Sequence, residues 1–370
     1  MIKFLWIKQR SKRLLSILMA VILMAGVMPA VAVAREPAHP EISVAQAVAL
    51  SLANSESLKN AKSDITKQKE LRDDASDDLD FIPSSSSGTA ATENPWYSLL
   101  TADISLQSVK KAYTTEEEKI ALDSYSKYWD ILKYQDKLEV AELGAKKALL
   151  ALQNAQAGNR VGTVADIDLL SATSQRQTAV TTLSLAQNSL DDAYEALNSQ
   201  IGLWPEDRPV LTDTVKYSLA DIDNLDNEVA RVLADSPTIW SADQAVILQN
   251  YSKNMMFYSG SYTPYKVRQI GVEQAELDAA SAKEVASQSV RDMYYQIKNM
   301  EQNYSMLQEQ IKLAEENLRV SKVNFEIGMT TALNVCTAEK ALADAKSSFL
   351  ELICNHEYAK LVFEKPWAAS

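Results

Sequence analysis

The sequence predicts an all-α protein: a tandem repeat of long coiled-coil helical hairpins. Three observations predict it. The chain of 370 residues holds 9 Gly and 10 Pro, where average usage would give roughly 26 and 18. No Pro occurs from Trp96 to Trp204 or from Tyr265 to Lys365, as long helices require. The chain also matches itself at a shift of 166 residues, from about 128–197 onto 294–363, without a gap.

Scarce breakers exclude turn-rich sandwiches, barrels and propellers. Hydrophobic residues make up 46% of the chain and charged residues 23%, a globular composition. No glycine-rich phosphate loop is present. Two His without ligand spacing and no nucleophile motif leave no catalytic site, metal site or cofactor to propose. The chain is read as a non-enzyme.

Taken in order, residues 1–34 read as a secretory signal peptide. Lys3, Lys8, Arg10, Lys12 and Arg13 form a basic start, and Leu14 to Val27 is an apolar run. Ala32-Val33-Ala34 fits the cleavage rule, and Ala30-Val31-Ala32 is also usable. The apolar run is about 14 residues, short for a membrane span of about 20. Cleavage near Ala34 would move the net charge from −12 to −17. Such a chain does not bind nucleic acid non-specifically. His39 follows in a Pro-flanked segment expected to be mobile.

The first repeat is placed at 35–203, an inter-repeat linker at 204–221 and the second repeat at 222–370. Each repeat reads as helix, connector, long helix, turn and helix. Ala47 to Ser55 matches Glu228 to Ser236 at an offset of 181. The long helices are expected over about 101–160 and 266–327. In the second, Ile297, Met300, Tyr304, Leu307, Ile311, Ala314 and Leu318 keep 3,4 spacing. The return helices carry Leu169, Ala172, Arg176, Ala179 and Leu183, matched by Val335, Ala338, Leu342, Ala345 and Phe349. Spacing of 3.5 residues held this long is a coiled-coil signature. His356 falls on this stripe as a packed helix residue. Cys336 and Cys354 lie about 27 Å apart along one helix, too far for a disulfide, and read as buried small residues.

Reversals are expected at Ala157 to Thr163 and Glu326 to Thr331. Gly162 and Gly328 would supply left-handed helix caps, and Thr163, Thr330 or Thr331 could start the next helix. Gly144 and Gly271 are expected inside helices.

The first connector is read as roughly Asp77 to Leu100, with Pro83, Pro95, Phe81, Trp96 and Tyr97. The second runs from Met255 to Lys266, with Met256, Phe257, Tyr258, Tyr262, Pro264 and Tyr265. These aromatics suit either a membrane-interface belt or helix-end packing. Asp73, Asp74, Asp77, Asp78 and Asp80 read as a solvated acidic end, since calcium-loop spacing is absent.

At this level the sequence resembles the TolC family of outer-membrane efflux proteins. The likeness rests on Ile42-Ser43-Val44-Ala45-Gln46-Ala47-Val48-Ala49-Leu50 followed by Asn54 and Leu58. It also rests on the turn Val161-Gly162-Thr163 leading into Asp166-Ile167-Asp168-Leu169-Leu170, and on its partner Ile327 to Val335. The resemblance implies a homotrimer enclosing a helical tunnel, without catalysis. The tips Arg160, Val161, Gly162, Thr163, Ile327, Gly328, Met329, Thr330 and Thr331 would dock a periplasmic adaptor, and through it an inner-membrane pump. It places Asp166, Asp168 and Asn334 where a pore constriction would form, although helix-start acids also serve the macrodipole. The family's β-barrel would enter at the connectors. A membrane strand needs about 9–11 residues, so the connectors predict a reduced or absent barrel. The implied location is the cell envelope. A non-conducting envelope scaffold is the other reading.

Overall fold

The computed structural model describes residues 37–79, 90–255 and 263–369. The signal peptide, Asp80, Phe81, Pro83, Met256, Phe257, Tyr258 and Tyr262 lie outside the described residues. Strand β1 (Glu41–Ile42) is followed by α1 (Val44–Asn54), α2 (Glu56–Asp77), α3 (Ala90–Arg160) and α4 (Asp166–Ile201). Then come β2 (Val210–Leu211), α5 (Leu225–Asp235), α6 (Pro237–Asn254), α7 (Tyr265–Glu326) and α8 (Ala332–Glu364). A 3₁₀ turn, Pro366–Ala368, closes the chain.

The same devices start and break the helices in both halves. Ser43 and Gln46 form a capping box at α1, satisfying two otherwise orphaned amides. Ser55 separates α1 from α2, and Ser236 separates α5 from α6. Each serine's amide donates back to the preceding helix, at Ser51 O and Val232 O. Each hydroxyl accepts from the next helix, from Leu58 N at 3.1 Å and Ile239 N at 3.4 Å. One residue thus ends one helix and caps the next.

Helices α3 and α7 are 71 and 62 residues long, so α3 spans about 105 Å. They run past two sets of shorter neighbours. In the half nearer the turns the order is α4, α3, α8, α7; in the other half it is α2, α3, α6, α7. Apolar stripes bind the layers. Ile131 of α3 and its counterpart Ile297 of α7 are both fully buried, as are Leu197 and, nearly so, its counterpart Phe363. Ile131 and Leu197 sit with Tyr128, Ile201 and Cys354 in one cluster. Ile297 and Phe363 sit with Val229, Val232 and Val290 in another. Burying each such side chain contributes about 1.5–3 kcal/mol.

Four sequence expectations change. Helix α3 begins at Ala90, not near 101. Pro95 falls in its second turn, where it removes only one ladder bond. Trp96 and Tyr97 therefore lie on a helix, half-buried, and not in a connector. Neither Thr163 nor Thr330 starts a helix: α4 is N-capped by Ala165, and α8 by Thr331 without a side-chain hydrogen bond. Thr163 instead donates to Gly158 O at 3.0 Å, closing the end of α3. His39 is not loose, because its Nδ1 lies 2.9 Å from Arg208 O.

That contact belongs to a small junction. β1 and β2 pair in parallel, Glu41 with Val210 and Ile42 with Leu211. Buried Tyr128 donates its hydroxyl hydrogen to Ile42 O at 2.9 Å and accepts from Asp213 N at 3.1 Å. The linker is thereby tied to the N-terminal segment and to α3.

Candidate functional site

The hairpin tips are tight, hydrogen-bonded turns carrying apolar side chains into solvent. Gly162 and Gly328 have φ of 77° and 74°, a left-handed conformation costly for any residue with a Cβ. They let Thr163 N reach Gly158 O at 2.8 Å and Met329 N reach Asn324 O at 2.7 Å, which satisfies carbonyls at each helix end. Asn159 braces the first tip, donating to Val164 O at 3.1 Å and Asp166 Oδ1 at 2.8 Å. At the second, Asn334 donates to Thr330 Oγ1 at 2.7 Å. Val161 is 75% exposed and Met329 78%, with Ile327 and Ile167 also exposed. Arg160 lies at the end of α3. Asp166 and Asp168 occupy the first turn of α4, where acids complement the helix dipole. Together with Asn334 they are exposed.

The lateral edges form a second feature, which the sequence reading missed. Helix α8 lies between the long helices α3 and α7, whereas α4 packs on one long helix, α3, and on the short α1. Cys336 of α8 is 1% exposed, its thiol directed at Leu143 O of α3. Its counterpart in α4, Leu170, is 64% exposed. The outer side of α7 is also open. Arg268, Val272, Val290 and Ile297 are buried on its inner face. Met306, Leu313 and Val320, spaced by seven, are exposed elsewhere on it, and Ile270 and Leu277 repeat the spacing nearer the connector. A helix with two apolar stripes is built for neighbours on two sides. The composition of α4 carried the same signal. From Leu169 to Leu190 its only charge is Arg176, whereas the matching stretch of α8 carries five charges.

Between the edges, a groove of about 650 Å³ runs along α3 beside α4. Ala141, Gly144 and Ala148 line it together with Lys137, Lys147 and Lys340. No carboxylate lines it.

At the connector end, Tyr265 is largely exposed and Val267 accompanies it. Arg268 is buried and donates to Ser252 O and Met255 O, closing the end of α6. The segments between α2 and α3 and between α6 and α7 are twelve and ten residues long. Neither can hold two membrane-spanning strands of about nine residues each. Among the described residues no helix is long and apolar enough to cross a membrane.

No protein-family model and no curated protein matches the sequence. Solved structures do match the fold. The outer-membrane channel OprN aligns with a TM-score of 0.62 at 13% identity, over 88% of this chain and 89% of the channel. The CmeC outer-membrane channel of Campylobacter jejuni gives 0.61 at 13%, over 88% and 85%. The outer-membrane protein VceC of Vibrio cholerae gives 0.59 at 13%, over 88% and 95%. At such identity the likeness is one of fold. The chain is built on the TolC-like helical trunk, and among the described residues the membrane β-barrel segments are reduced or absent.

Proposed function

We propose that the chain is a TolC-like component of a trans-envelope efflux or type I secretion system, acting as a passive conduit and not as an enzyme. The observation that carries this reading is the mismatch between equivalent edges: Leu170 is exposed where Cys336 is buried against α3. A second copy presenting the outer side of α7 to α4 would reproduce the α3–α8 seam and extend the helical wall. Repeating that heterologous contact closes a ring, and the family resemblance sets the number of copies at three. The tips then form one end of the tunnel. Their exposed Val161, Ile327 and Met329 supply an apolar surface for a periplasmic adaptor and, through it, an inner-membrane pump. The lysine-rimmed groove beside them suits the adaptor's helices. Asp166, Asp168 and Asn334 would line the entrance. The signal peptide directs the chain to the cell envelope. Trp96, Tyr97 and Tyr265 mark the end facing a membrane.

The direct test is export by cells carrying Gly162→Val and Gly328→Val. Loss of export with the assembly intact supports the reading, and normal export with both glycines replaced overturns it. A second reading, a non-conducting envelope scaffold on the same trunk, is favoured by the short connectors. Conductance in a planar bilayer separates the two: a pore rejects the scaffold, and an intact assembly that never conducts rejects the conduit.

A further inference from the structure

His356 of α8 is fully buried. It sits between two carboxylates that also hold the linker. Its Nδ1 lies 3.3 Å from Glu357 Oε1, and its Nε2 lies 3.7 Å from Glu301 Oε1 of α7. Those two oxygens accept linker amides: Ser218 N donates to Glu357 Oε1 at 3.1 Å, and Ala220 N to Glu301 Oε1 at 2.9 Å. Lys360 adds bonds to Ser218 O and Oγ at 3.0 and 2.6 Å. Tyr217 stacks on Tyr304 of α7 at 3.7 Å, and its ring lies 4.9 Å from that of His356. The segment 217–220 is thus a strap across α7 and α8, fastened by groups that surround one imidazole.

One atom of this cluster is unsatisfied. His356 Nε2 is buried without a hydrogen-bond partner. Neutral imidazole with its proton on Nδ1 turns a bare lone pair on Nε2 toward the Glu301 carboxylate. A second proton turns that opposition into attraction: Glu301 Oε1 has a lone pair to spare beyond the one taken by Ala220 N, while Glu357 Oε1, which also accepts from Lys360 Nζ at 3.2 Å, already faces Nδ1. The charged groups around the imidazole are Lys298 and Glu301 on α7 and Glu357 and Lys360 on α8. Tyr217 on the strap and Tyr304 on α7 complete the titratable set. On α5, Arg231 is engaged by Glu228, Phe363 O and Glu364 O. On α3, Asp123 and Asp130 face Tyr358 instead. In the first repeat the counterparts of His356, Glu301 and Lys360 are Leu190, Gln135 and Tyr194. There Gln135 simply donates to the Tyr194 hydroxyl at 2.9 Å.

We propose that the 217–220 strap is a pH-responsive clamp: a proton gained by His356 pins Glu301 and Glu357 in place and tightens the linker onto the second hairpin. An envelope protein outside the cytoplasm meets the pH of its surroundings, and histidine is the side chain suited to sense it. The clamp acts only in the second repeat, so the two hairpins would respond unequally to acid.

The test is hydrogen exchange of the full chain, read by mass spectrometry on peptides covering 214–224 and corrected for intrinsic exchange. Between pH 7.5 and 5.5 protection of this segment should rise about tenfold, the worth of one charge-assisted bond. Peptides covering 157–165, at the first hairpin turn and away from both histidines, should not change. His356→Gln should flatten the response. Glu301→Gln should also flatten it while keeping an acceptor for Ala220 N, so the result stands if the histidine variant fails to fold. Equal wild-type protection at both pH values overturns the clamp, as does an unchanged pH profile in either variant.

Discussion

The two hairpins follow one backbone plan but meet different surroundings. Helix α8 is flanked on both sides within the chain, and α4 on one. Where α8 buries Cys336, α4 exposes Leu170. Where the second repeat straps its linker with Glu301, Glu357 and Lys360 around His356, the first uses Arg208. That guanidinium binds Asp191 at 2.6 Å and lies over the Tyr194 ring at 5.1 Å. Asp191 is the counterpart of Glu357. A carboxylate at that position holds the linker in both repeats, and only the second adds a titratable core. Equivalent positions therefore keep what the backbone needs and diverge where their neighbours differ.

The largest predicted effect breaks this comparison at its clearest pair. Cys336→Asp places an unpaired charge in the α3–α8 seam and should cost about 3–5 kcal/mol of protomer stability. Leu170→Asp should cost the isolated protomer under about 0.5 kcal/mol and yet disrupt assembly. Denaturant unfolding paired with a mass measurement checks both; equal destabilisation by the two would erase the distinction.

The paired cores sharpen it next. Ile131→Ala and Ile297→Ala should each cost about 2–5 kcal/mol, because both side chains are fully buried. A surface-like cost at either site would show that the repeats do not share a core position.

Smaller effects separate the three left-handed glycines among the described residues. Gly202 ends α4 with φ of 78°, and a Cβ there would collide with the Asn54 side chain. Asn54 donates to Ile201 O, so Gly202→Ala should cost about 2–3 kcal/mol, strain plus a lost hydrogen bond. Gly162→Ala and Gly328→Ala meet open space and should cost only the strain, about 1–2 kcal/mol. Melting temperatures of the three variants give the order.

The smallest readout is chemical. Burial pushes the Cys354 thiol up to about 12 and that of Cys336 upward as well. The thiolate is the reactive form, so at pH 8 neither should react with a thiol reagent until the chain unfolds. Rapid labelling of the folded protein would contradict that burial.

Much of this was legible in the sequence because its causes are local. Heptads such as Ile297 to Leu318 fix helices, and Gly162 and Gly328 fix where they reverse. The β1–β2 pairing was not legible, since two residues a side joined across 169 positions leave no pattern. The start of α3 was misplaced because Pro95 reads as a break, although early in a helix it removes little. His356 read as a packed stripe residue, but the carboxylates around it come from α7 and from its own next residue, a juxtaposition only tertiary structure shows. The nearly uncharged run of α4 was in plain view, and its meaning emerged only once α4 was found at an edge.

The central claim is that the outer side of α7 and the open side of α4 meet between copies. Native mass measurement of the purified protein tests it most directly. The wild type should run as a closed assembly of defined copy number, three by resemblance, and Leu170→Asp or Leu313→Asp should run as a folded protomer. A wild type that remains a single chain at every concentration, or edge variants that assemble like it, would contradict the account.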